Sequence, residues 1–385
     1  MEALRCTIMR GGTSKAVFLR EEDIPPPGAA RDQLILRVFG SPDKRQIDGL
    51  GGADPLTSKL AIIGPARTAD TDVTYTFGQV EIDRPHVDYH SLCGNISAAV
   101  GHYAIEAGLV VPVEGITVVR AWTTNLKRLL TIEVPVRNGK PIGLGTYRVP
   151  GVPGGGARIL IDFADTAGGA TGSLLPTGNP VDTLDVPGVG RIEASLIDIG
   201  NAHVFIRARD VGLTGTETPA QIDADQPLLD RLERIRAAGA VRMGMVSSIE
   251  AVRSETPATP ILGMVAPPAA YVGHLDGAPV AAQDVDLVAR LLFMQISHKT
   301  YAGTSTVCTG VAARIPGSLV AEATRPDAQE RIDIRIGHPA GVIETESDVV
   351  LAAAGRNHGV RRATLGRTAR RILDGIVYLD LDEAV

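Results

Sequence analysis

The sequence predicts an α+β protein built as two related domains, each a β-sheet wrapped around one central helix. Three observations carry this. Strand-like segments outnumber helix-like ones along 385 residues, a length that suits two domains. Gly (43) and Pro (25) are abundant while aromatic residues are only 4%, which fits many strands joined by tight turns. Two distant segments also resemble each other, because "CGN" at 93–95 and "AGT" at 302–304 each precede a helix of small residues.

The elements follow in order. "ARDQLILRVFG" (30–40) has apolar residues at helical spacing, and "DVTYTFGQVEI" (72–82) alternates as a strand. "GNISAAVGHYAIEAGLV" (94–110) is small and apolar all round, which implies burial on every side. "GITVVRAWT" (115–123), "RLLTIEVPV" (128–136) and "ARILIDF" (157–163) predict strands, and "PGVPGGG" (150–156) a loop. "PTGNPVDTLDVPGVG" (176–190) has linker composition, so the domains are expected to divide near residue 185. "RIEASLIDI" (191–199) and "HVFIRARDV" (203–211) predict further strands. "DADQPLLDRLERIRAAGAV" (223–241), with Asp and Pro near its start, predicts a helix. "AAQDVDLVARLLFMQI" (281–296) predicts another, with Asp284 and Asp286 near its N-terminal end. "GTSTVCTGVAARI" (303–315) is the second helix expected to be buried throughout.

Composition excludes several functions. A net charge of −6 argues against a nucleic-acid or membrane-surface partner, since both require a basic face. No apolar run approaches the roughly 20 residues of a membrane helix. The start "MEALRCTIMRGG" has no signal-peptide pattern. Cys6, Cys93 and Cys308 are odd in number and form no Cys-x-x-Cys, which suits a reducing cytoplasm better than disulfides or zinc. The eight histidines are scattered, so no metal is expected.

The chemistry gathers at the helix starts. The first turn of a helix presents amide N–H groups without internal partners, and the helix dipole adds to their pull on an anion. Gly94 permits close approach of a ligand, and Asn95 can cap or contact it. Cys93 reads either as an acid–base thiol at the rim of a carboxylate site or as a small buried hydrophobe. Three further stretches suit an anionic ligand: "MRGGTSK" (9–15), "IDGLGGADPLTSKLAIIG" (47–64) and "SHKTYAGTSTVCTG" (297–310). They set Lys15, Lys59 and Lys299 beside hydroxyls such as Ser14, Thr57 and Ser58 in glycine-rich loops. Taken singly, each is an ordinary turn or cap, and none is a P-loop.

"MRGGTSK", "RQIDGLGGADPLTSKLAIIG", "CGNISAAVGHYAI", "HKTYAGTSTVCTGVAARIPGS", "GHPAGVI" and "RTARRILDG" together resemble one isomerase family. Its members are 2-methylaconitate cis-trans isomerase, 3-methylitaconate Δ-isomerase and 4-oxalomesaconate tautomerase. The resemblance runs from about residue 5 to about residue 380. Most motifs are most similar to the methylitaconate branch, whereas "FGQVEIDRPHVDY" is nearer the methylaconitate branch.

The resemblance implies the diaminopimelate epimerase-like fold: two pseudo-symmetric domains, with the ligand in the cleft between them against both helix starts. It also implies that the last strand, "GIVYLDL" (375–381), returns to the first domain. The expected domains are therefore 1–185 with 366–385, and 186–365. Epimerases of this fold place a cysteine at each helix mouth. Here Cys93 matches the first and Ala302 replaces the second, so two-thiol racemisation is not expected. "DIGNAHVFI" (198–206) resembles a ligand-contacting segment of the epimerases and brings in Asn201 and, less directly, His203. The family's usual Asn-Cys-Gly-Asn reads Leu92-Cys93-Gly94-Asn95 here.

The implied activity is a 1,3-proton shift along a small unsaturated di- or tricarboxylate, without cofactor or metal. Lys59 and Cys93 match the acid–base pair, in either assignment. Gly94, Asn95, Gly303, Thr304 and Ser305 are the expected carboxylate holders, with Ser14, Thr57, Ser58, Asn201 and Lys299 as further contacts. The alternatives on the same fold are an epimerase, a lyase or a non-catalytic carboxylate-binding protein. The expected partner is the small polycarboxylate alone; a homo-oligomer is compatible with the sequence.

Overall fold

The computed structural model describes residues 2–352 and 358–380 of the chain. Two compact units emerge, Met1–Ile161 with Arg367–Val385, and Asp162–Gly366.

In the first unit, β1 (Glu2–Gly11) and β2 (Ser14–Arg20) form a hairpin. Helix α1 (Ala29–Phe39) follows and buries Leu34, Ile35, Val38 and Phe39 against Val17, Leu19 and Leu60. It stops at Gly40, which takes the left-handed conformation with φ 70°. β3 (Lys59–Pro65) lies parallel to β2 and antiparallel to β4 (Val73–Val80). The central helix α2 (Gly94–Glu106) is buried from Gly94 to Ile105. Strands of this unit surround it, including β1, β2, β3 and the hairpin β5 (Gly115–Thr123) and β6 (Arg128–Arg137). It ends at Glu106 rather than Val110, because Gly108 turns left-handed (φ 70°) and the Leu109 N–H bonds back to the Ala104 carbonyl.

In the second unit, the stretch that reads as a linker folds as a hairpin. β7 (Asp182–Val186) pairs with β8 (Gly190–Ile199), so Pro187 and Gly188 belong to its turn. The chain leaves the first unit earlier, after Ile161. β9 (Asn201–Arg207) continues from β8. Helix α3 (Gln226–Arg242) starts at Asp225, whose side chain accepts from the Leu228 N–H, with Pro227 in the first turn. β10 (Ile261–Ala266) runs parallel to β9.

The segment 281–296 corrects an expectation. Its core is a strand, β11 (Leu287–Phe293), set antiparallel to β10 and followed by a tight turn at Met294–Gln295. Every residue of β11 is buried, and a strand buried on both faces reads as a continuous apolar run that periodicity cannot tell from a buried helix. Asp286 starts no helix; its carboxylate accepts from Arg331 and Arg335.

Helix α4 (Gly303–Ala313) is buried along its whole length. Among the strands packed around it are β8, β9, β12 (Asp333–His338) and β13 (Gly341–Val350). β14 (Gly359–Arg367) pairs with β13. The chain then returns to the first unit as β15 (Ala369–Leu379), antiparallel to β1 from Glu2↔Leu379 to Gly11↔Ala369. The expected strand 375–381 lies within it apart from Asp380, which follows the strand, and residue 381, which is outside the described residues.

The two central helices share a packing device. Gly101 in α2 and Gly310 in α4 stand at the same offset from their helix starts, Gly94 and Gly303. A Cβ on Gly101 would lie 2.8 Å from methyls of Ile132 and Val134 on β6. A Cβ on Gly310 would lie 2.4 Å from Thr345 Cγ2 and 2.5 Å from Ser347 Oγ on β13. Bare helix backbone therefore rests on a strand in each unit. Among the described residues, no helix is long and apolar enough to cross a membrane.

Candidate active site

The first unit concentrates reactive groups at the start of α2. Cys93 is the residue before the first turn, with extended backbone (φ −105°, ψ 101°) and no capping bond from its thiol. Its carbonyl accepts from both the amide and the hydroxyl of Ser97, each at 2.9 Å. The thiol is thus held at the helix mouth without being spent on the cap.

The hairpin turn of "MRGGTSK" closes on this mouth. A Cβ on Gly11 would lie 2.3 Å from the Asn95 carbonyl oxygen, and one on Gly12 2.3 Å from Asn95 Oδ1. Only glycine allows that approach, and Gly12 also needs its positive φ of 48°. The Asn95 side chain donates from Nδ2 to Thr13 Oγ1 (3.1 Å) and accepts at Oδ1 from Arg367 Nε (2.8 Å). Arg367 is buried, and burial pulls its guanidinium down to about 10, still charged at neutral pH. Ser14 is buried at the same turn, and its hydroxyl has no hydrogen-bond partner among the described residues.

Lys59 opens β3 and is buried. Its Nζ donates to Gln79 Oε1 at 2.6 Å and sits 5.3 Å from the centre of the Phe77 ring. Burial lowers its pKa, and the nearby Cys93 and Asp54 pull the other way. Cys93 acts electrostatically on Arg367 and on the buried Tyr75 as well, so these groups form one neighbourhood. Thr57 and Ser58 serve the loop that leads into β3. The Ser58 hydroxyl donates to Gln46 Oε1 (2.7 Å), and the Thr57 hydroxyl to the Asp54 carbonyl (3.2 Å).

In the second unit, α4 starts after Ala302, with Gly303, Thr304 and Ser305 in the buried first turn. Asn201 Nδ2 donates to Thr304 Oγ1 (3.1 Å). His203 lies between the Asn201 carbonyl at Nδ1 (2.9 Å) and Ser305 Oγ at Nε2 (2.7 Å). Burial pushes its pKa down to about 4, so the ring is neutral near pH 7. A carbonyl can only accept, so Nδ1 carries the proton and Nε2 accepts from the Ser305 hydroxyl. Ser305 therefore directs its proton to His203. Lys299 is exposed, and its carbonyl bonds to the His274 ring.

Gln79, Arg367 and Tyr75 escaped the sequence analysis. Gln79 reaches Lys59 through strand register, and Arg367 reaches Asn95 across 272 residues. Among the described residues, no three His, Cys, Asp or Glu side chains are arranged to hold a metal ion.

A sequence profile of the PrpF protein family matches residues 1–380. The chain is 50% identical over 375 residues to a 3-methylitaconate isomerase of Eubacterium barkeri, covering 97% of each chain. It is 43% identical over 387 residues to a 2-methyl-aconitate isomerase of Shewanella oneidensis, covering 96% of this chain and 95% of that one. A crystal structure of methylitaconate-delta-isomerase superposes with a TM-score of 0.80 at 50% identity, over 98% of this chain and 96% of that one. A probable proline racemase from Agrobacterium radiobacter superposes at 0.55 with 14% identity, over 98% and 93% of the chains, and shares the epimerase-like fold.

Proposed function

Because the chain belongs to the PrpF family and is therefore an isomerase, we propose that it moves a C=C bond along a small unsaturated polycarboxylate such as 3-methylitaconate by a 1,3-proton shift. The observation that supports this most is a buried lysine beside a thiol at a helix start. Burial favours the neutral amine, which is the form that accepts a proton.

Lys59 removes the allylic proton and becomes an ammonium. The electron pair spreads through the C=C bond into the carboxylate as a dienolate. Cys93 then gives its proton to the far carbon, and the new double bond lies one position along. Proton return from Lys59 to the thiolate restores the enzyme. The reverse direction exchanges the two roles. Arg367, held by Asn95, and the first-turn amides of α2 stabilise the added negative charge. The partnerless buried hydroxyl of Ser14 suits a carboxylate contact. In the second unit, the amides of Gly303, Thr304 and Ser305 offer an anion site of the same kind, with the side chains of Thr304 and Ser305 fixed by Asn201 and His203. Three free cysteines suit a reducing cytoplasm.

The epimerase alternative lacks an acidic side chain at Ala302, and a passive carboxylate binder has no use for a buried amine facing a thiol. The test is incubation with methylitaconate, methylaconitate, aconitate and oxalomesaconate in heavy water, followed by NMR. Deuterium should enter the allylic carbons of at least one compound as its double bond moves. Binding of these compounds without exchange would sink the reading.

A further inference from the structure

The strand that faces Lys59 carries a residue that the proposed proton transfer has not yet used. Lys59 and Gln79 are directly opposed across β3 and β4, so their side chains meet as a cross-strand pair. Gln79 is fully buried, and its amide nitrogen donates while its amide oxygen accepts. Its Nε2 donates to two backbone carbonyls, those of Pro55 and Ser58, both at 3.1 Å. Carbonyls only accept, so the amide orientation is settled by its partners. Oε1 is left facing Lys59 Nζ at 2.6 Å.

This has two consequences for the lysine. An amide oxygen takes one N–H of Lys59 and so keeps the lone pair of the neutral amine off the Gln79 side, in one of the two remaining positions. The oxygen also brings no charge. A carboxylate in the same place would hold the amine as an ammonium, whereas the amide leaves burial free to favour the neutral form. The titratable groups that act on this amine are Cys93 at the start of α2 and Asp54 in the loop before β3, and Cys93 acts in turn on Arg367 and Tyr75. The same Gln79 amide ties down Pro55 and Ser58, the backbone that flanks the entry to Lys59.

We propose that Gln79 is a positioning residue for the proton transfer: an uncharged, orientation-locked acceptor that aims the Lys59 amine and lets it work as a base near neutral pH. The proposal rests on the reading that Lys59 is the base. Gln79→Glu keeps size and the acceptor but adds charge, and Gln79→Leu removes the acceptor.

The experiment measures kcat and KM from pH 6 to pH 10 for the wild type, both Gln79 variants and Lys59→Ala, using the compound of the panel above that exchanges deuterium fastest. In Gln79→Glu the acidic limb of kcat/KM should move to higher pH by about one unit or more, so that rate at pH 7 falls roughly tenfold and recovers in alkali. In Gln79→Leu, kcat should fall by up to about 10²-fold, as expected for a misplaced reacting group, with KM little changed. Circular dichroism and melting temperature separate folding defects from these effects. An unmoved limb in a folded Gln79→Glu overturns the proposal, even where rate falls uniformly at all pH. Lys59→Ala should be inactive throughout; near-normal rates there would overturn the assignment of the base itself.

Discussion

At the residue scale, the three thiols differ by their surroundings. Burial raises the pKa of Cys6 and of Cys308, and Asp374 and Asp198 respectively add to it. Cys93 has the most solvent contact of the three and sits at a helix start near Lys59 and Arg367. Limited treatment with iodoacetamide at neutral pH should therefore alkylate Cys93 first, and mass-spectrometric mapping reads the order. His203 makes a second prediction. Its folded pKa of about 4 lies below its usual 6.5, so the unfolded chain binds the extra proton in between. Its contribution is complete above about pH 6.5 and is lost as pH falls toward 4, up to about 3 kcal/mol. Urea unfolding at pH 4.5 and pH 7.5 should show a steeper loss for the wild type than for His203→Gln. Part of the candidate site was legible in the chain: Cys93, Lys59 and Asn95 stand out by glycine-rich neighbours and by the family motifs. Gln79 did not, because "FGQVEI" reads as a plain strand and only register sets it against Lys59.

At the level of elements, small-residue composition was the dependable signal. It located α2 and α4 because a helix surrounded by strands has no polar face to give it away. The same logic misread β11, where burial on both faces erased the alternation that marks a strand. The glycines inside the two helices explain why composition matters so much. Gly310→Ala gains about 1 kcal/mol of helix propensity and meets Thr345 and Ser347 at distances that no real Cβ adopts. Overpacking of roughly 1–3 kcal/mol should win, so calorimetry should show a lower melting temperature. Gly101→Ala, whose contacts are less tight, should lose less. A rise in melting temperature for Gly310→Ala would mean that β13 moves aside freely.

For the whole molecule, the domain division was legible in kind but not in place. Linker composition points to 176–190, which folds as a hairpin, while the crossings fall after Ile161 and before Arg367. A chain cut after Gly366 would lack β15, the partner of β1 along its whole length, and Arg367, the partner of Asn95. In hydrogen exchange, amides within residues 2–161 should lose protection in such a truncation, whereas those of β8, β9 and α4 should keep theirs. Equal protection in both units would show that β15 is dispensable. The same discontinuity orders events during synthesis. The second unit is continuous and can finish as soon as its last strand emerges, while the first must wait with Lys59 and Cys93 already made but unsheltered. Growing chains usually complete their N-terminal domain first. Here the order inverts, and the half that holds Lys59 and Cys93 is the last to close.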